Sequence, residues 1–243
     1  MQTLWSLFTV LAGPFVGSFL GLASLRLPAG RSFVRGRSAC QACAKPLGPR
    51  ELIPLLGYLL QRGRCRTCDA AIPPRYPLLE TTCLIIGLLS ALLASGPLAL
   101  VTAMLGWWLL LIAVIDAEHM LLPDSLTLPL IVAGLAVGAW RTPGLDHIIG
   151  AAAGFAALSL VALVYRRLRG LDGLGDGDPR LFAASGAWLG WAALPTVLLG
   201  ATLLALGYVL VRQVRGHRLG AQDALPFGPF LAAATWGVWL WGL

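Results

Sequence analysis

The chain has 243 residues, 58% of them hydrophobic and 12% charged, with a mean hydropathy of +0.79. A soluble domain carries about 25% charged residues, so this composition excludes an ordinary soluble enzyme. The net charge of +7 implies no nucleic acid as partner, because in a membrane protein Lys and Arg collect in the cytoplasmic loops.

The expected fold is an all-α polytopic membrane protein. Its apolar residues form runs close to the roughly 20 that a bilayer-crossing helix needs. Candidate spans are residues 4–25, 78–95, 98–115, 125–140, 148–165, 181–194, 195–211 and 227–243. Eight spans is the favoured count, and seven with one re-entrant segment is the nearest rival. Residues 181–194 are short for a span. Met1-Gln2-Thr3 lacks a basic leader region, so the first run is expected to stay as an uncleaved span.

Of the 18 Lys and Arg residues, ten lie between Arg26 and Arg75, four between Arg166 and Arg180, and three between Arg212 and Arg218. With eight spans these three segments fall on one side, which the charge bias makes cytoplasmic. Arg166-Arg167-Leu168-Arg169 is expected to contact lipid head groups. In the first span, Gly17, Gly21 and the nearby serines make a small-residue face suited to close helix packing.

The expected division is a first transmembrane helix over 1–28, a cytoplasmic metal module over 29–77 and a transmembrane core over 78–243. The module contains Cys40-Gln41-Ala42-Cys43 and Cys65-Arg66-Thr67-Cys68. Two C-x-x-C knuckles at this separation can wrap one tetrahedral zinc with four thiolates. A closed set of four ligands points to a structural role. Redox-active pairs are the alternative, but no βαβ pattern surrounds them. Cys83, inside the second span, reads as a small buried hydrophobe.

Glu80, at the start of the second span, is read as a partner for an arginine of the neighbouring loop. Asp116 ends an apolar run and has no local structural task. Asp124 or Ser125, after Pro123, reads as a helix N-cap. Glu118 and His119 are expected in the connecting turn. The stretch Gly173-Leu174-Gly175-Asp176-Gly177-Asp178 is polar and glycine-rich between apolar runs. Carboxylates at a membrane edge tend to mark a reaction or a pathway, and glycine permits positive φ and close backbone approach. Asp172 and Asp176 compete with Asp178. Asp178 lies nearest the apolar segment, where desolvation can act. The basic loop 212–226 leads into a kinked start of the last span.

These motifs, in this order, resemble the type IV prepilin peptidases, aspartyl peptidases of the GxGD type. The resemblance rests on G-S-F-L through R-L-P at 17–28, the paired C-x-x-C, and E-L-I-P-L-L-G-Y at 51–58. It continues with R-Y-P-L-L-E at 75–80, I-D at 115–116 through L-P-D-S-L-T-L-P at 122–129, G-L-G-D-G-D at 173–178 and L-P-F-G-P-F at 225–230. The chain departs from the usual pattern at Gly21 (Asn), Gln41 (Pro) and Arg180 (Lys).

The resemblance implies that Asp116 and Asp178 form the catalytic pair, and that prepilins or pseudopilins are the substrates. It further implies a multi-pass protein of the bacterial inner membrane, cutting at the cytoplasmic face. The loop Gly173, Gly175, Gly177 would hold the unwound substrate segment. S-adenosylmethionine would serve a second activity, methylation of the new amino terminus. The reading from another class is an ion or solute transporter with a zinc-stabilised module. A third is a methyltransferase in which the aspartates are dispensable.

Overall fold

A computed structural model describes residues 2–32, 38–170, 173–216 and 225–243. Among these residues the chain is helical and has no β-strand beyond two isolated bridges. The helices are α1 (Gln2–Arg26), α2 (Leu56–Leu60), α3 (Arg75–Leu93), α4 (Pro97–His119), α5 (Asp124–Arg141), α6 (Asp146–Arg169), α7 (Asp178–Leu189), α8 (Leu194–Val214) and α9 (Gly228–Trp241). They fall into two compact units, Met1–Trp107 and Trp108–Leu243, so α4 contributes to both.

In the first unit α1 packs along α3 through glycines. A Cβ added to Gly17 would lie 2.5 Å from the Glu80 Cα, and one at Gly13 would lie 2.6 Å from the Cys83 carbonyl. Gly87 on α3 returns the contact against the Thr9 backbone. This is the close approach that small residues allow between membrane helices. It places Cys83, fully buried, against the middle of α4, where the Trp107 indole donates to the Cys83 carbonyl at 2.9 Å.

The second unit is built around α7. Its stretch Leu181–Trp188 is buried on every side, against α5, α6, α8 and α9. Twelve residues span about 18 Å, well short of the roughly 30 Å hydrocarbon core. Such a helix needs neighbours around its whole circumference. Gly154 sits against the Phe182 carbonyl, Gly150 against the Gly186 carbonyl, and Gly134 under the Trp188 ring. The Trp188 indole donates to the Leu130 carbonyl at 3.0 Å, and Ser185 and Thr235 pair their hydroxyls at 2.7 Å. Trp188, Ser185 and Thr235 thus keep hydrogen-bond partners inside the bundle. Gly190, at φ 81, ends α7 before the 3₁₀ turn Trp191–Ala193 starts the next helix.

Five helical segments are long and apolar enough to cross a membrane: Gln2–Arg26, Arg75–Leu93, Pro97–His119, Asp146–Arg169 and Trp191–Val214. The expected count of eight is not reached on this measure. The expected spans at 125–140, 181–194 and 227–243 correspond to helices of 18, 12 and 14 residues. Outward faces carry large apolar side chains such as Leu160, Val161, Leu203 and Leu206. An apolar exterior of this extent suits lipid rather than water.

Replacing Gly17 with valine is expected to cost about 1–3 kcal/mol by overpacking, because the group it meets is backbone and cannot turn away. Gly207 has open space around its Cβ position, and Gly207→Ala is expected to cost nothing. Thermal unfolding of both variants in detergent checks the contrast.

Candidate active site and metal site

Asp116 lies one turn before the end of α4 and is 5% exposed. Its Oδ2 accepts the backbone N–H of Gly228 at 2.9 Å, at the first residue of α9. A Cβ at residue 228 would stand 2.7 Å from that same oxygen. Only glycine brings the N–H close enough, and Pro226 and Pro229 on either side restrict the chain there. The sequence reading saw this segment as a kinked helix start and missed its contact with Asp116. A glycine between two prolines at a helix start was the available signal.

Asp178 is the first residue of α7 and is 4% exposed. Its Oδ2 accepts the Gly175 N–H at 3.0 Å, and its own N–H donates to the Gly175 carbonyl at 3.1 Å. The loop therefore closes on the carboxylate that follows it. Oδ1 of Asp178 is buried and has no hydrogen-bond partner among the described residues. The chain around both carboxyls meets at one side chain. Leu122 helps join their surroundings: its side chain fills the space beside Gly177 and beside Gly228.

The glycines at 173, 175 and 177 serve close approach and not positive φ, since none of them has a positive φ. Gly173 lies under the Tyr165 ring, and Gly177 lies against Leu122. Asp176 points away, 91% exposed and 3.8 Å from Arg166. Asp172 lies outside the described residues. Asp124 is not an N-cap: Pro123 takes that position without a side-chain capping bond. Asp124 instead accepts from Arg180 at 2.6 Å, tying the start of α5 to the start of α7. Glu118 and His119 form the last turn of α4 and are exposed, a correction to their expected place in the connecting turn.

The four module cysteines come together in the first unit. Cys40, Cys43, Cys65 and Cys68 place their sulfurs within 4.8 Å of one another, with Cys40 and Cys68 at 3.8 Å. A tetrahedral zinc with Zn–S bonds near 2.3 Å needs sulfurs about 3.8 Å apart. The two knuckles share one backbone pattern. Cys40 N–H donates to Lys45 and Ala44 N–H to Cys40, while Cys65 N–H donates to Ala70 and Asp69 N–H to Cys65. Ala44 and Asp69 both have φ 56, and Lys45 reaches across to the Thr67 hydroxyl at 2.8 Å.

N–H groups of Cys68 and Thr67 pull the Cys65 thiol down to about 6. The Ala70 N–H favours a thiolate at Cys68, but desolvation and the neighbouring sulfurs push that thiol up to about 12. Four crowded thiolates repel one another, and a divalent cation at their centre removes the repulsion. The donor set and spacing fit zinc.

Glu80, read as the partner of a loop arginine, has no cationic partner among the described residues. It is 6% exposed, and its Oε2 accepts the Leu55 N–H at 2.7 Å.

Comparison with known proteins adds to this geometry. Residues 11–94 match the bacterial peptidase A24 N-terminal domain, and residues 103–210 match the type IV leader peptidase family. Among relatives, a protein of Aeromonas hydrophila is 43% identical over 214 residues, covering 85% of this chain and 72% of its own length. One of Dickeya chrysanthemi is 40% identical over 256 residues, covering 95% and 90%. One of Pseudomonas aeruginosa is 37% identical over 273 residues, covering 97% and 90%. All three carry the name prepilin leader peptidase/N-methyltransferase. No solved structure matches the chain. With two matches in series and relatives similar along most of their length, the chain belongs to the type IV leader peptidase family.

Proposed function

We propose that the chain cleaves the leader from prepilins or pseudopilins at the cytoplasmic face of the bacterial inner membrane, with Asp116 and Asp178 as the catalytic pair, and then methylates the new amino terminus. One observation carries the assignment of the pair. Two buried carboxylates lie on either side of Leu122, each accepts a backbone N–H, and one oxygen of Asp178 has no partner among the described residues. Family membership supports peptidase chemistry over the transporter reading.

Two adjacent carboxyls in a poorly solvated place share one proton, because both cannot ionise at little cost. Oδ1 of Asp178 is the natural seat for it. Asp116, with the Gly228 N–H on Oδ2, is the ionised partner. Asp116 takes a proton from water as the water oxygen bonds to the scissile carbonyl carbon. Asp178 donates to the carbonyl oxygen. The proton on Asp116 then passes to the leaving nitrogen as the C–N bond breaks, and the hydroxyl proton returns to Asp178. The products are a leader carboxylate and a new amine.

A peptide bond inside a helix is hidden, so the substrate must be extended where it is cut. The Gly173–Gly177 loop, with no side chains at alternate positions, can take such a segment by backbone pairing. The cysteine module is a structural zinc site in this reading. Four thiolates leave no open ligand position.

Asp116→Asn and Asp178→Asn are each expected to lower single-turnover cleavage by roughly 10³-fold while the protein stays folded. Asp176→Asn is expected to cleave normally. Gly228→Ala is expected to lose most activity, because the added methyl displaces the carboxylate of Asp116. Normal cleavage by Asp116→Asn would remove it from the pair.

Metal analysis is expected to find about one zinc per chain. Cys43→Ser should lose the zinc and lower the unfolding temperature, while the fraction that remains monodisperse still cleaves. A folded, substrate-binding Cys43→Ser protein with no cleavage would give the metal a part in the reaction.

A further inference from the structure

The turn between α4 and α5 holds one residue in an unfavourable backbone conformation. Met120 has φ 52, a region that residues other than glycine, Asn and Asp seldom occupy. Its N–H donates to the Asp116 carbonyl at 2.8 Å, so the reversal starts from the residue that bears the first carboxylate. Strain of this kind persists only where the surroundings hold it, and it collects at functional sites. Its consequence here is the direction of the residues that follow. Met120 and Leu121 are 51% and 43% exposed, whereas Leu122 is 9% exposed and turns inward.

The branched end of Leu122 reaches two separate backbones. A Cβ on Gly228 would lie 3.2 Å from its Cδ2, and a Cβ on Gly177 would lie 3.0 Å from its Cδ1. Gly228 is the residue whose N–H holds Asp116. Gly177 precedes Asp178, and its carbonyl accepts the Arg180 and Leu181 N–H groups in the first turn of α7. One methyl group therefore lies against the start of α9 and the other against the start of α7. The same turn grips α7 a second time, two residues on, where Asp124 accepts from Arg180 at 2.6 Å. Protein interiors pack without slack, so a side chain that fits two backbones at once fixes their separation.

We propose that Leu122 is a positioning residue for peptide cleavage. It sets the spacing between Asp178 and the Gly228 N–H that orients Asp116, so that both carboxyls reach one scissile bond. This rests on the reading above that Asp116 and Asp178 are the catalytic pair. Leu122 acts through the two backbones and touches neither the reacting atoms nor the substrate. Shortening it frees the starts of α7 and α9 to shift, and a misplacement of about 1 Å is enough to slow a positioned reaction by about 10²-fold. Substrate binding uses other groups and stays as it is.

The test is single-turnover cleavage of a prepilin over a range of concentrations, with the full chain monodisperse in detergent. Leu122→Ala is expected to lower the saturating rate by about 10²-fold at an unchanged half-saturating concentration. Leu122→Val, a milder truncation that covers the case in which Leu122→Ala does not fold, is expected to fall between it and the wild type. Leu122→Met keeps the volume and is expected to restore cleavage, while Leu121→Ala, at the exposed neighbour, leaves it unchanged. In an Asp178→Asn background Leu122→Ala is expected to add no further loss, because it acts through that carboxylate. A leucine that merely supported the fold would slow both backgrounds alike, and that result overturns the proposal. Wild-type cleavage by folded Leu122→Ala or Leu122→Val overturns it too. So does a raised half-saturating concentration at an unchanged saturating rate, which would make Leu122 a substrate contact. Fast cleavage by Asp178→Asn itself removes the catalytic pair and the role of Leu122 together. Slow cleavage by Asp178→Asn beside normal cleavage by Leu122→Ala removes Leu122 alone.

Discussion

A carboxylate inside a helix bundle persists only where N–H groups reach it, and this constraint organises the second unit. The Gly228 N–H meets Asp116 and the Gly175 N–H meets Asp178. Both donors are glycines because a Cβ at either position would press on the carboxylate it serves, at 2.7 and 3.1 Å. The starts of α7 and α9 are thereby fixed relative to the end of α4. Leu122 fills the remaining space, and the Arg180–Asp124 pair fastens α7 to α5 beside it.

Close packing of α7 serves the same end. A short helix buried on all sides has no lipid-facing side, so its position is set by neighbours alone. Gly150, Gly154 and Gly134 let α6 and α5 approach its backbone and its Trp188. Membrane helices gain little from hydrophobic burial against one another, and such contacts supply the association energy instead. Rigid placement of α7 is placement of Asp178, its first residue.

Much of this was legible in the sequence. Apolar runs point to the helical class, paired C-x-x-C spacing to the cluster of four cysteines, and a lone aspartate ending an apolar run to the buried carboxylate at 116. The glycine-rich stretch marked Asp178. What was not legible depended on contacts between distant segments. Gly228 serves Asp116 from 112 residues away in the chain, and no local pattern reveals such a pairing. Asp124 looked like a helix cap because proline preceded it, but Arg180, 56 residues away, takes its carboxylate. Glu80 read as the partner of a loop arginine, and the close approach of α1 at Gly17 with the Leu55 N–H on its carboxylate could not be read from local pattern. Composition does not settle whether α7 counts as a span, because an apolar segment enclosed by protein has the same composition as one enclosed by lipid.

The central claim is that Asp116 and Asp178 act as one unit. Single-turnover cleavage of a prepilin by Asp116→Asn/Asp178→Asn, set beside the two single variants, tests it most directly. Groups that share one proton and one transition state are strongly non-additive, so the double variant should cleave no more slowly than either single one. Losses that multiply, with the double variant falling by the product of the two single effects, would contradict the account and make the aspartates independent contributors.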